Sequence, residues 1–286
     1  MNNFSPVSEE LTLITTTELK NTVHETLQYI LTHTTAEFEK IISHKKINWD
    51  LTEALARPNY EYIPHIRDNK KFTTGVKKKE ALYYLLDLVE KNNLTFDLFA
   101  HNLLLVKNEI EATKHVYKKY AVNAYPADIE HPYFIQSIQN FEYSKYLVIE
   151  LTEKHQWSKV AIENLKYVQE KFWVEIAMDD IHPIPSAENM SMDSLQKFQE
   201  HWLTIDRHKM DGPFFQEMYH QYKNSATNDY NIFFLVMNHV INAYNMKKIT
   251  IEWIENQQQY DFALRLEKEL PEIEFRYQGF YFNENS

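Results

Sequence analysis

Glycine occurs only three times in 286 residues, at Gly75, Gly212 and Gly279. The turns of β-sandwiches and the phosphate loops of Rossmann-type sheets depend on glycine, because it enters positive-φ backbone without a Cβ clash. So small a supply argues for helices joined by short polar loops and against a glycine-rich nucleotide loop. The fold class it predicts is all-α, a helical bundle.

Apolar residues recurring every three or four positions carry that expectation along the chain. Thr15-Thr16-Thr17-Glu18 reads as a capping box, opening a helix over 15–45 with Leu19, Val23, Leu27, Ile30, Phe38 and Ile41 on its buried face. Residues 50–79 contain Pro58, Pro64 and Gly75 and read mainly as loop, with a short helix at 50–56. Further helices are predicted over 78–91, 95–121, 133–155, 158–182, 193–209, 213–224 and 229–246. In the tail, ITIEWI (249–254) and EFRYQGFYF (274–282) are strand-like around a helical 255–269, which allows a small C-terminal two-stranded ribbon. The stretch at 121–133 is the best boundary. It divides an N-terminal helical region, 1–125, from a bundle over 126–286 carrying the candidate site, unless the two form one continuous domain.

Composition excludes several chemistries. Lys and Arg number 30 against 41 Asp and Glu, a formal charge of −11. An acidic chain repels phosphate backbones, so no nucleic-acid partner is expected. Cysteine is absent, which removes disulfides, thiolate metal sites and thiol nucleophiles. No apolar run reaches the length of a membrane span. The polar first ten residues lack the pattern of a signal peptide, so a cytoplasmic location is expected.

The stretch FWVEIAMDDIHPIP, residues 172–185, reads as the end of a long amphipathic helix. Glu175, Asp179 and His182 then stand at i, i+4 and i+7, one stripe shared with Leu165, Val168, Phe172 and Ile176. Carboxylates at the carbonyl end of a helix oppose its dipole and call for a cation: a lysine, a protonated histidine or a metal ion. A second signal is Glu217-x-x-His220, the spacing that points both ligands inward in di-iron carboxylate bundles; Asp179-x-x-His182 repeats it. The helix over 133–155 offers Glu142, Glu150 or Glu153, and the one over 193–209 offers Glu200. Glu142 stands on a stretch apolar almost all round. The candidate metal set is Glu142, Glu175, Asp179, His182, Glu217 and His220, holding two Fe ions or Mn. Ordinary readings stand beside it, a capped helix end and a Glu142–lysine pair. His33, Glu37 and His44 read as the rim of an amphipathic helix, and His201, Asp206 and His208 as surface residues or as supports behind a site's ligands.

With EHPYFIQSI (130–138) opening a helix, and Glu175 followed by His182 seven residues on, the chain resembles haem-oxygenase-like di-metal oxidases. The resemblance implies Glu175 and His182 as ligands and oxygen-dependent oxidation of a small amine, amino acid or fatty acid. The family's later His-x-x-x-Asp-x-x-His helix has no counterpart here. The expected function is a non-haem di-metal, O₂-dependent oxidoreductase acting on a small molecule. The alternative is a non-catalytic helical interaction protein, such as an immunity protein, adaptor or partner subunit, whose acidic surface meets a basic protein partner.

Overall fold

A computed structural model describes residues 35–41, 51–57, 86, 89–91, 93–114, 118–152, 156–183, 191–224 and 231–279. Two strands come first, β1 (Thr35–Ile41) and β2 (Leu51–Arg57), paired antiparallel. Strand and helix then alternate. Helix α1 (Thr95–Thr113) leads to β3 (Lys119–Ala124), and two short helices, α2 (Pro126–Glu130) and α3 (Phe134–Asn140), lead to β4 (Leu147–Leu151). Next come α4 (Lys159–Phe172), β5 (Glu175–Ile181), α5 (Ser191–Glu200) and β6 (Arg207–Met210). The chain continues through α6 (Gly212–Asn224), α7 (Asn231–Ala243), β7 (Lys248–Ile251), α8 (Gln257–Glu269) and β8 (Glu274–Tyr277).

The eight strands form one sheet in the order β1 to β8, with every pair after the first parallel. Parallel neighbours need a crossover between them, and the helices supply it. Side chains alternate across each strand. One face, with Val122, Ile149, Ile176, Met178, Met210, Ile249, Ile251, Phe275 and Tyr277, joins the large core made with the helices. The other face holds a small apolar plug of Ile41, Leu51, Ala121, Val148 and Ala177. The sheet is curled. Gln278, just past β8, donates to Glu53 of β2 at 2.9 Å. In a flat sheet those strands, six spacings apart, would stand roughly 29 Å from each other. Contact between them requires a barrel-like closure around the plug.

Local chemistry sets the helix boundaries. Ser158 caps α4 by accepting from Ala161 N–H at 3.1 Å, and Asn256 caps α8 by accepting from Gln259 N–H at 3.0 Å. Helix α4 ends at Trp173, which takes the left-handed conformation at φ 59°. Asn93, Lys114, Asp180, Trp202, Asn245 and Trp253 also have positive φ. Polar and aromatic residues therefore fill positions where glycine is the usual choice.

The all-α expectation is overturned: the architecture is α/β. Glycine scarcity did not forbid an α/β fold, because those seven non-glycine residues make the reversals. The strands are also short, and β5 starts two residues beyond the end of α4, so a helical period runs on into it. The predicted helix over 158–182 is α4 plus β5. That over 133–155 is α3 plus β4, and that over 193–209 is α5 plus β6. Residues 35–41 and 51–57 are strand where a long helix and a short one were expected. The helices α6, α7 and α8 lie where the periodicity placed them, whereas the helix predicted over 95–121 is α1 plus the start of β3. Strands β7 and β8 do pair, but in parallel across α8, so they are no hairpin ribbon. The Thr15 capping box, His33 and His44 lie outside the described residues.

Candidate active site

Because the parallel strands share one direction, their C-terminal ends meet at one mouth. The inward residues there are polar: Glu53 of β2, Asn123 of β3, Glu150 of β4, Asp179 of β5 and Lys209 of β6. Glu252 and Gln278 follow directly after β7 and β8. Lys209 is the hub. Its Nζ lies 2.8 Å from Asp179, 3.0 Å from Glu252, 3.2 Å from Glu53 and 3.3 Å from Glu150. Glu53 also accepts from Asn123 Nδ2 at 3.2 Å and from Gln278. A shift in register between Met178 and Ile181, with Asp180 at φ 44°, marks a β-bulge. The bulge turns a second acid to the mouth, since bulges re-aim side chains at strand ends. Carboxylate oxygens of Asp179, Asp180 and Glu252 all lie within 4.8 Å of one another.

Among the described residues, four carboxylates (Glu53, Glu150, Asp179 and Glu252) thus share Lys209, and Asp180 stands beside Asp179 and Glu252. Burial pushes Asp179 up to about 6, with Asp180 and Glu53 adding to it and Lys209 opposing. Burial also holds Glu150 and Glu252 well above the usual carboxylate range despite Lys209. At Glu53 burial works the same way, but Lys209 and the bonds from Gln278 and Asn123 outweigh it, and its carboxyl is lowered. Burial would lower Lys209, yet the four surrounding acids hold it well above its ordinary value. Glu150 Oε1 is buried without a hydrogen-bond partner, as is Gln278 Oε1. An all-oxygen donor set with spare lone pairs, in which four acids share one lysine among the described residues, fits a hard divalent cation.

The sequence-predicted residues fall in different places. Asp179 lies in this cluster. Glu175 shares its strand face, because a spacing of four is compatible with both a helix stripe and a strand face, but it sits at the opposite end. There it is held by Arg207 (2.7 Å), Lys119 (2.9 Å) and Lys248 (3.6 Å). His182, an odd number of residues away, points elsewhere, with Nε2 3.9 Å from Asp211 and its ring edge-on to Phe214. Glu142 is exposed in the turn after α3, with Lys107 3.8 Å away. Glu217 and His220 stand on the outer helix α6, where Glu217 accepts from Gln221 and His220 lies beside Tyr219. Glu53, Asn123, Lys209, Glu252 and Gln278 were not singled out in the sequence, and Glu150 only as one of three options. A signal was there: strand-like runs YAVN, LVIE, IAMD, TIE and FRYQ each end on one polar residue.

An α/β barrel with acids gathered at the C-terminal mouth belongs to an architectural class whose members carry their chemistry at that end. Solved structures narrow the likeness to EAL domains. The EAL enzyme Bd1971, in a form with cAMP and cyclic-di-GMP bound, is matched at 15% identity and a TM-score of 0.58, over 93% of this chain and 65% of that one. The EAL domain of FimX from Pseudomonas aeruginosa, bound to c-di-GMP, is matched at 16% identity and 0.62, over 91% and 94%. The PaMucR phosphodiesterase in complex with c-di-GMP is matched at 19% and 0.52, over 87% and 94%. The chain thus spans just under two thirds of the length of Bd1971. No protein-family model and no curated protein sequence matches it. These likenesses establish the fold. They overturn the haem-oxygenase-like resemblance, whose architecture is helical, and with it the di-metal oxidase reading. The helical interaction protein falls for the same reason: its premise was a bundle. Among the described residues no helix is long and apolar enough to cross a membrane.

Proposed function

We propose that the chain is a divalent-metal phosphodiesterase that hydrolyses a cyclic nucleotide, with c-di-GMP the substrate to test first. The observation that carries this reading is the convergence of Glu53, Glu150, Asp179 and Glu252 around Lys209 at the barrel mouth, with Asp180 beside Asp179 and Glu252. The fold likeness to c-di-GMP-bound EAL structures supports it. So does the tripeptide Glu53-Ala54-Leu55, which in one-letter code spells the three letters those domains are named by.

Asp179, Asp180 and Glu252 would hold the metal, with Glu53 and Glu150 beside them. Oxygen ligands of this kind suit Mg²⁺ or Mn²⁺ better than iron, for which the expected imidazoles of His182 and His220 lie elsewhere. Such an ion, when bound, polarises a phosphoryl oxygen and lowers the pKa of a bound water. Lys209 keeps the acids converged and offsets part of their repulsion. Asn123 Nδ2 donates to Glu53 Oε1 and Gln278 Nε2 to Oε2, so the Glu53 carboxylate is fixed through both oxygens. Clustered carboxylates repel a phosphate until a cation stands between them, so binding of the substrate depends on the metal.

The test is turnover of c-di-GMP with Mg²⁺ or Mn²⁺, read by chromatography. Linear dinucleotide is the expected product. Chelator should abolish its formation, and Glu150→Gln should lower kcat by about 100-fold or more. If the metal-loaded protein gives neither turnover nor binding, the reading is rejected.

A further inference from the structure

Trp253 follows Glu252 directly, at the same mouth, and two of its properties are unusual. It is a bulky residue at φ 58°, a conformation that L side chains disfavour and that persists where the surroundings impose it. It is also 47% exposed, although an indole is a large apolar surface to leave in water. Its position is nonetheless fixed. A Cβ placed on Gly212 would lie 2.3–2.6 Å from Cγ, Cδ1 and Cδ2 of the indole, so the ring rests on the bare backbone of Gly212. Its own carbonyl accepts a hydrogen bond from Gln216 Nε2. Gly212 comes three residues after Lys209, so the indole is held between two segments that each carry a residue of the acid cluster. One side of the ring is covered and about half of the residue faces solvent. A rigid aromatic of this kind, beside a phosphoester site, is what a nucleobase stacks on.

From this placement we infer that Trp253 is the stacking wall for a base of the nucleotide substrate, setting affinity through the base while the acid cluster acts at the phosphate. Gly212 belongs to the device, because any side chain there would push the indole away. The inference rests on the cyclic-nucleotide reading above.

The test compares wild type with Trp253→Ala, Trp253→Gly and Trp253→Phe, all metal-loaded, by steady-state kinetics on c-di-GMP and by quenching of tryptophan fluorescence on titration. Trp253→Gly makes the same truncation as Trp253→Ala in a residue suited to φ 58°, so a folded truncation is at hand if the alanine variant misfolds. The truncations should raise KM about tenfold while kcat stays within about threefold of wild type. Phe should restore most of the affinity, and the quench should be lost without Trp253. If a folded truncation keeps the wild-type KM, or if Phe is as poor as Ala, the stacking role falls and the phosphodiesterase reading stands. Should wild type neither turn over nor bind c-di-GMP, both fall together.

Discussion

At the scale of single residues, two acids four positions apart have opposite surroundings. Glu175 and Asp179 lie on one inward face of β5. Asp179 shares Lys209 with three other acids, whereas Glu175 has three cations to itself. Burial would raise Glu175, but Arg207, Lys119 and Lys248 outweigh it and bring its pKa down to about 2. A carboxylate depressed on folding contributes stability that is present above its unfolded pKa and is lost as pH falls through the folded one. Glu175→Gln should therefore destabilise the protein by about 3 kcal/mol at pH 7. That loss should shrink as the pH of a denaturant titration is lowered from 4.5 toward 2. The gain in thermal midpoint on adding Mn²⁺ should not change. A variant as stable as wild type, or one that loses the metal response, would contradict this placement.

At the scale of elements, the informative junctions are those where a helix hands over to a strand. Helix α4 runs out at Phe172, Trp173 reverses the chain at φ 59°, and β5 starts two residues later. Glycine suits such a position because it has no Cβ to clash with the carbonyl. Trp173 is 74% exposed and gives up little packing if removed. Trp173→Gly should therefore stabilise the protein by about 0.5–1 kcal/mol, seen as a higher midpoint in urea with an unchanged slope. Destabilisation would mean that the indole packs more than its exposure indicates. The same junction explains why FWVEIAMDDI reads as helix. The stripe Leu165, Val168, Phe172, Ile176 has helical spacing, and nothing in residue type at Trp173 announces the reversal. A glycine there would have marked the boundary. The bulge at Asp180 has no sequence mark either, since adjacent acids are ordinary at a helix end.

At the scale of the whole molecule, the barrel gathers acids that are 199 positions apart in sequence, from Glu53 to Glu252, and metal binding should be linked to global stability. In the metal-free protein Asp179 is raised from 3.8 to about 6. A carboxyl raised on folding contributes stability below its unfolded pKa and loses it as pH rises through the folded one. Metal-free protein should forfeit that contribution between pH 4 and 6, and a divalent ion should restore it by binding the ionised acid. The midpoint gain at fixed Mn²⁺ should be larger at pH 8 than at pH 5, approaching about 2.7 kcal/mol when free Mn²⁺ is 100 times its Kd. Asp179→Asn should reduce the gain at both. A gain that is equal at the two pH values, or unaffected by that substitution, would separate Asp179 from the metal. What the sequence alone determined is local: the spans of α6, α7 and α8, the start of α1, the strand character of β7 and β8, and the absence of thiol chemistry. These follow from period and residue type within one segment. Only the tertiary structure decided that the short strands stack in parallel and curl, and hence that Glu53, Glu150, Asp179, Lys209 and Glu252 meet. Such a meeting is set by hydrogen bonds between strands distant along the chain, and a spacing along the sequence carries no record of them.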